Sequence, residues 1–307
     1  MPRTRPITAT RGGTIAIAIG VTVLTIIVVA LAIAALRQSR PTDPGATIDP
    51  APTFSYPART GTPTPSPTPT PPVNLGARAD ARAAGAGERF LSIGAEAAWR
   101  AVAGACGGPA PLIERSTDDG ATWSDVTPFY RDITQVRSLT SFGGRNATAV
   151  VDVGTACAAA TMRTYTDGRF WEGYPDIFAV DTYALPGDAA VIVDGATHAT
   201  PCTAPRGLRT AGGVTALVCD GTAYRLDGDS WAALASGARA VAIGDGDVVV
   251  ARQDADCEGI LLTSYRASDD GDDLGCLAAD TTGEIAVDVT DAIATVWAGD
   301  ALLRIND

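Results

Sequence analysis

Residues 115 to 123 read RSTDDGATW, an acidic turn closed by a tryptophan, and the unit recurs downstream. Arg163 to Trp171 reads RTYTDGRFW, Arg225 to Trp231 reads the shorter RLDGDSW, and Arg266 to Leu274 reads RASDDGDDL, with Gly168 and Gly271 at the turn. A fifth, truncated copy is RIND, at Arg304 to Asp307. Its lead-in VWAGDALL resembles VCDGTAY, Val296 answering Val218, Gly299 answering Gly221 and Ala301 answering Ala223. The five arginines lie 48, 62, 41 and 38 residues apart. Those intervals bracket the roughly 40 to 50 residue period of four-stranded propeller blades.

Around these turns the chain from about residue 77 onward is built of short β-branched runs such as VVDVG, TALVC, DVVVA and IAVDV, broken by Gly-Asp turns. This is an all-β texture without sustained helical periodicity. Each blade reads as strand a (QVRSLTSF, RAVAIG, EIAVDV), strand b (TAVVDVG, VTALVC, DVVVA, AIATVW), strand c ending on the arginine, and strand d after the turn (FWEGY, SWAAL). The expected fold is a β-propeller of four-stranded antiparallel blades over residues 77–307, five by repeat, with six or seven open. The long interval contains an insertion, Asp176 to Arg206, that forms either an elaborated loop or an extra partial blade. The last copy stops after strand c, so residues 77–93, ending in RFLSI, are expected to supply its strand d, leaving no free edge.

The remaining sequence sets an address. Residues 13–36 carry no charge, and their core, TIAIAIGVTVLTIIVVALAIAAL, is long enough at about 1.5 Å per residue to cross a hydrocarbon layer of roughly 30 Å. The run exceeds the roughly 7 to 15 residues of a signal h-region. It therefore reads as an uncleaved transmembrane anchor embedded in the lipid bilayer, with residues 1–12 a short cytoplasmic N-terminus. Arg3, Arg5 and Arg11 before it against Arg37 and Arg40 after it give a slight positive-inside bias to that orientation. Residues 37–76 form a Pro/Thr-rich stalk, since 11 of the chain's 20 prolines fall between residues 41 and 72. In polyproline II, at about 3.1 Å per residue, it could hold a domain on the order of 100 Å from the plasma membrane.

The net charge is −12 and every one of the 23 basic residues is arginine. Without a basic patch, nucleic acid is excluded as a partner. The six cysteines, Cys106, Cys157, Cys202, Cys219, Cys257 and Cys276, all follow the anchor, contain no C-x-x-C pair, and point to disulfides in an oxidising compartment. Cys202 with Cys219 would flank an a–b hairpin and Cys257 with Cys276 a c–d region, leaving Cys106 with Cys157, one of 15 possible pairings.

Ser116, Asp118, Gly120, Thr122 and Trp123 are similar to the Asp box, or bacterial neuraminidase repeat, of the sialidase-like propeller superfamily: S-x-D-x-G-x-T-W is complete here and degenerate in three further copies. The resemblance implies a hairpin turn at the blade periphery, in which the Asp carboxylate accepts backbone N–H bonds, Gly takes a positive φ and Trp packs between sheets. It implies a fold over most of residues 85–307 and places the turn away from any active site. Sialidase chemistry would need, by the same resemblance, an arginine cluster, a tyrosine nucleophile supported by a glutamate, and an aspartate acid. The repeat accounts for Arg115, Arg163, Arg225, Arg266 and Arg304, and only six glutamates follow the stalk: Glu88, Glu96, Glu114, Glu172, Glu258 and Glu284.

No metal or cofactor is expected. The sole histidine, His198, cannot build a multi-histidine site, and the calcium-loop-like DADCEG at Asp254 has Tyr265 at the twelfth position, where a bidentate glutamate belongs. SDDGDD, at 268–273, reads as a solvated hairpin tip. The expected function is therefore binding or scaffolding at the cell surface by a non-catalytic propeller, for an unknown protein or glycan ligand. The alternative is a sialidase-type glycoside hydrolase.

Overall fold

A computed structural model describes Thr25 and residues 85–185, 188–267 and 271–306. The anchor, the stalk and residues 77–84 lie outside the described residues, apart from Thr25. Among the described residues no helix is long and apolar enough to cross a membrane.

The described chain folds into six antiparallel sheets, taken in order. Blade 1 is β1 (Arg89–Ile93), β2 (Ala98–Val102), β3 (Leu112–Ser116) and β4 (Ser124–Asp125). Blade 2 is β5 (Ile133–Phe142), β6 (Asn146–Val153), β7 (Ala158–Thr164) and β8 (Glu172–Gly173), followed by one helical turn, α1 (Pro175–Phe178). Blade 3 has three strands, β9 (Tyr183–Leu185), β10 (Ala190–Val193) and β11 (Ala196–Ala199). Blade 4 is β12 (Arg206–Ala211), β13 (Val214–Cys219), β14 (Thr222–Asp227) and β15 (Ser230–Ser236). Blade 5 is β16 (Ala238–Gly244), β17 (Asp247–Asp254), β18 (Cys257–Tyr265) and β19 (Asp272–Leu277), and blade 6 is β20 (Ala286–Thr290), β21 (Ile293–Ala298) and β22 (Ala301–Asn306). The innermost strands neighbour one another in the order β1, β5, β9, β12, β16, β20 and back to β1, so the sheets close into a six-bladed propeller.

Strand chemistry explains the layering. Second strands such as VTALVC are buried at every residue, because their blade is sandwiched between two neighbours and both faces are dry. Outer strands meet water, and SWAALAS on β15 has no buried residue and three exposed ones, Ser230, Ala233 and Ser236. Between blades 1 and 2 the core is Phe90, Trp99 and Ile113 against Val136, Leu139 and Trp171. The two tryptophans meet edge to face at 5.9 Å. Arg137 is fully buried beside them in sequence space but serves the next seam: its Nε and Nη2 donate to Asp152 at 2.7 and 3.0 Å, and its Nη1 donates to the Ala184 carbonyl of blade 3 at 3.0 Å.

One expectation is revised, and one open alternative, the partial blade, is borne out. RFLSI does not complete the last blade: it is β1, the innermost strand of blade 1, paired along its length with Ala98–Val102. Its run of buried residues suits the ring centre, where an outer strand would need a wet side. The 176–206 insertion is a blade of its own, residues 183–199, rather than a loop. It escapes the repeat because it has neither the acidic turn nor an outer strand.

The six cysteines form three disulfides, Cys106–Cys157, Cys202–Cys219 and Cys257–Cys276. The first ties the β2–β3 loop to the β6–β7 turn, across two blades.

Candidate functional site

The repeat residues lie at the β3–β4 turn and its counterparts. Ser116 Oγ donates to Asp118 Oδ1 at 2.7 Å and accepts the Gly120 N–H at 2.9 Å. Asp118 then accepts the Thr122 N–H at 2.9 Å and the Thr122 hydroxyl at 2.6 Å. These bonds to Thr122, with Ser116, hold the Asp118 carboxyl down at about 2. Gly120 takes φ 84°, and Trp123 Nε1 donates back to its carbonyl at 3.0 Å. The Ser116 hydroxyl, the Asp118 carboxylate and the Thr122 hydroxyl are all engaged within the turn.

In blade 2 the same turn is made with other atoms. Thr164 stands for Ser116 and Thr166 for Asp118, their hydroxyls accepting the Gly168 and Phe170 N–H groups at 3.0 and 2.9 Å. Trp171 is fully buried and donates to the Val126 carbonyl, whereas Trp123 is only half-buried. Trp231 caps blade 3 instead, donating to the Ala199 carbonyl at 2.7 Å. Gly271 packs against Thr263 and Tyr265; Ser268, Asp269 and Asp270 lie outside the described residues.

The repeated arginines do not converge on one point. Arg115 reaches Asp167 in the turn of blade 2 at 2.9 Å, Arg225 donates to the Arg266 carbonyl at the turn of blade 5, and Arg304 donates to the Asp119 carbonyl in the turn of blade 1 at 2.6 Å. Each is a strut to the next blade. Arg266 faces Asp247 of its own blade at 3.6 Å. Arg163 has blade 3, which lacks that turn, as its neighbour. It bonds Thr148 Oγ1 at 3.0 Å and lies over the rings of Phe142 and Tyr174.

Arg163 thereby reaches a concavity at the ring centre, a cavity of about 460 Å³ at the mouth of the channel. Its wall includes the last residues of inner strands, Ile93, Phe142, Ala211 and Thr290. Its charged groups are Arg163, Arg209, Asp181, Asp194 and Asp288. Asp288 Oδ2 accepts the Ile93 N–H at 2.7 Å, and burial raises its pKa against that bond and the attraction of Arg209. Arg209 lies deep in the channel, where burial lowers its pKa and Asp288 and Glu88 oppose the shift.

The other end of the channel is closed. Arg209 also lines a space there of only about 10 Å³, among Glu88, Arg206, Arg239 and Glu284. Arg206 forks onto Glu284 at 2.9 and 2.8 Å, and Arg239 donates to the Thr281 and Gly283 carbonyls. Glu88 accepts the Gly207 N–H at 2.7 Å, yet burial pushes its carboxyl from 4.5 up to about 7. The channel is a pit, open at one mouth and plugged by charge at the other. The meeting of Arg209, Asp288 and Glu88 is not legible in sequence, because they come from three blades, outside the repeat.

His198 lies on β11 with Asp229 at 3.9 Å. Among the described residues no three metal-ligating side chains cluster. The Asp254 loop is a strand turn, its carboxylate taking the Asp256 N–H and Arg252.

No protein-family model matches the chain, and no curated protein does. Among solved structures, it is similar to YCF48 bound to a D1 peptide (16% identity, 71% of this chain and 77% of that one, TM-score 0.42). It is similar also to a native arabinanase from Bacillus subtilis (11% identity, 76% and 96%, TM-score 0.36). A Hadza microbial sialidase aligns at 8% identity over 71% of this chain and 52% of its own, with a TM-score of 0.34. The propeller fold itself rests on the closed ring of six sheets described above.

Proposed function

We propose that the chain is a single-pass, stalk-mounted extracytoplasmic propeller that binds its ligand at the open mouth of the channel and does not hydrolyse it. The Ser116–Trp123 turn, in this reading, is an Asp box: its Asp118 carboxylate and its Ser116 and Thr122 hydroxyls bond to one another and to backbone N–H groups, so it builds a blade. The observation that carries the proposal is the lining of the mouth. It holds two arginines and three aspartates, but among the described residues neither a tyrosine nor a glutamate borders it. A sialidase-type centre would require a tyrosine nucleophile with a glutamate beside several arginines. A cavity of this size falls within the roughly 300 to 1,000 Å³ of small-ligand sites.

The test uses the full chain in detergent micelles, assayed on fluorogenic sialosides and a panel of other aryl glycosides. No turnover is expected. Turnover abolished by a single carboxylate or tyrosine substitution would establish the hydrolase instead. The anchor is tested by extracting cell membranes at alkaline pH, where the chain should stay with the bilayer; recovery in the soluble fraction would remove the membrane part of the proposal.

A further inference from the structure

Bare aromatic surface on this propeller is confined to one sector. Of the exposed large hydrophobic side chains among the described residues, Phe129, Tyr130, Tyr165, Phe170 and Val180 all lie between residues 129 and 180, and Ile293 alone lies elsewhere. Part of this surface leads directly into the mouth. Tyr165 is 53% exposed, and its ring lies 5.3 Å from Phe142 and 6.3 Å from Tyr174. Arg163 spans the rings of Phe142 and Tyr174 at 5.0 and 5.8 Å. Phe142, Arg163 and Val180 are also walls of the cavity. A cluster of rings therefore continues from the pit onto the surface of blade 2, with Tyr165 edge-on to Phe142 and tilted against Tyr174. The missing outer strand of blade 3 leaves this cluster uncovered by a neighbouring turn.

The pit itself offers hydrogen-bonding groups. Asp194 and Thr140 stand exposed at its rim, and Asp181 and Thr182 are half-buried beside them. Three carboxylates against two guanidiniums, in a chain of net charge −12, repel a free anion. One of those guanidiniums, Arg163, is already held by Thr148 and the two rings. The matching ligand is uncharged, rich in vicinal hydroxyls for the planar carboxylates, and carries apolar C–H faces for the rings. A sugar ring has all three properties.

We propose that the mouth binds the end of a neutral oligosaccharide, with the terminal sugar bonded to the rim carboxylates and a following ring stacked on Tyr165. This rests on the reading of the mouth as the ligand site. The experiment is isothermal titration of the full chain in detergent with linear gluco-, xylo-, manno- and arabino-hexasaccharides. An oligogalacturonide serves as the acidic probe and an extended peptide library as the polypeptide probe. At least one neutral series should bind and the oligogalacturonide should not. Tyr165→Ala should weaken binding by about tenfold, the worth of one aromatic stack. Tyr165→Phe should retain it, and Phe170→Ala, which removes an exposed ring that does not line the cavity, should leave it unchanged. The melting temperature of each variant separates lost binding from lost folding. Binding of the acidic probe or of peptides alone, if weakened by Asp194→Asn or Arg163→Ala, overturns the sugar assignment and keeps the mouth. Neutral-sugar binding indifferent to Tyr165→Ala overturns the placement. No binding of any probe class overturns both.

Discussion

Two carboxyls show how burial decides what an acid does in this fold. Asp118 is exposed and ringed by donors, so its pKa falls to about 2. A carboxyl depressed in the folded state stabilises the fold above its ordinary pKa of 3.8, and that contribution is lost as pH falls toward about 2. Asp118→Asn should therefore lower the melting temperature at pH 7, and the gap to the parent should shrink on acidification through that window. A pH-independent gap in a melting series would refute the assignment. Glu88 is the converse, a buried acid raised to about 7 with Oε2 unpartnered by protein groups among the described residues. A raised acid contributes stability below 4.5 that is lost as pH rises through about 7. Glu88→Gln, which keeps an acceptor for the Gly207 N–H, should then stabilise the protein at pH 8 by up to about 3 kcal/mol and by little at pH 4. Denaturant titrations at the two pH values measure it, and equal effects at both would contradict the burial argument. The first acid was legible in sequence, because its partners are its own neighbours in the chain. Glu88 was not: its charged neighbours Arg206, Arg209 and Glu284 lie roughly a hundred residues or more away, with no pattern linking them.

At the scale of the element, the turn is more general than its residues. Thr164 and Thr166 rebuild in blade 2 the bonds that Ser116 and Asp118 make in blade 1, since a hydroxyl accepts the same N–H groups. What does not vary is the left-handed pair, Asp119 with Gly120 and Asp167 with Gly168, at φ of 55°, 84°, 60° and 82°. A side chain on Gly168 would also sit 2.6 Å from Val126 Cβ, so Gly168→Ala should cost about 1 to 3 kcal/mol. An unchanged denaturation midpoint would show that the turn is not strained. The repeat was readable because these turns recur in sequence with acids, glycine and tryptophan. The struts were not, because Arg115, Arg225 and Arg304 each act on the following blade. Blade 3 was hidden for a related reason: a sheet of three short strands with no outer hairpin carries no turn sequence to count. Its attachment is a buried one, through Arg137. Asp152→Asn would leave that guanidinium in the interior with its charge uncompensated and should cost about 3 to 5 kcal/mol, read from urea unfolding. A loss below 1 kcal/mol would place the seam's strength elsewhere.

A ring of blades has one seam that chain connectivity does not hold, and its strength limits the whole molecule. RFLSI is the innermost strand of blade 1, so among the described residues no strand is shared between the first blade and the last. Side chains join them. Arg89 donates to the Gly299 carbonyl at 2.7 Å, Asp288 takes the Ile93 N–H, and Arg304 reaches the Asp119 carbonyl. At the middle lies Trp297, 4% exposed, with Arg89 over its ring at 4.3 Å and Arg100 at 4.7 Å. Arg100 also lies 4.2 Å over Trp123, so the half-buried tryptophan of the best-preserved turn belongs to the same stack. The seam thus replaces a shared sheet with two arginines layered among indoles, packed on Leu91, Ala286 and Leu302. Two other seams have covalent or buried ionic reinforcement, through the Cys106–Cys157 bridge and through Arg137. Blades 1 and 2, for example, share the Cys106–Cys157 bridge, which closes a loop of 51 residues and is worth about 4 kcal/mol in the loop-entropy model. If the seam is the weakest joint, Trp297→Ala should do more than the roughly 3 to 5 kcal/mol of a large core truncation. It should open the ring there first. Amide hydrogen exchange of the variant should then lose protection in β1 and β20 before β6, β13 and β17, whose residues are buried from both sides. Uniform loss across all six inner strands would mean that the ring opens as one cooperative unit, and that the indole stack is no weaker than the bridged seam beside it.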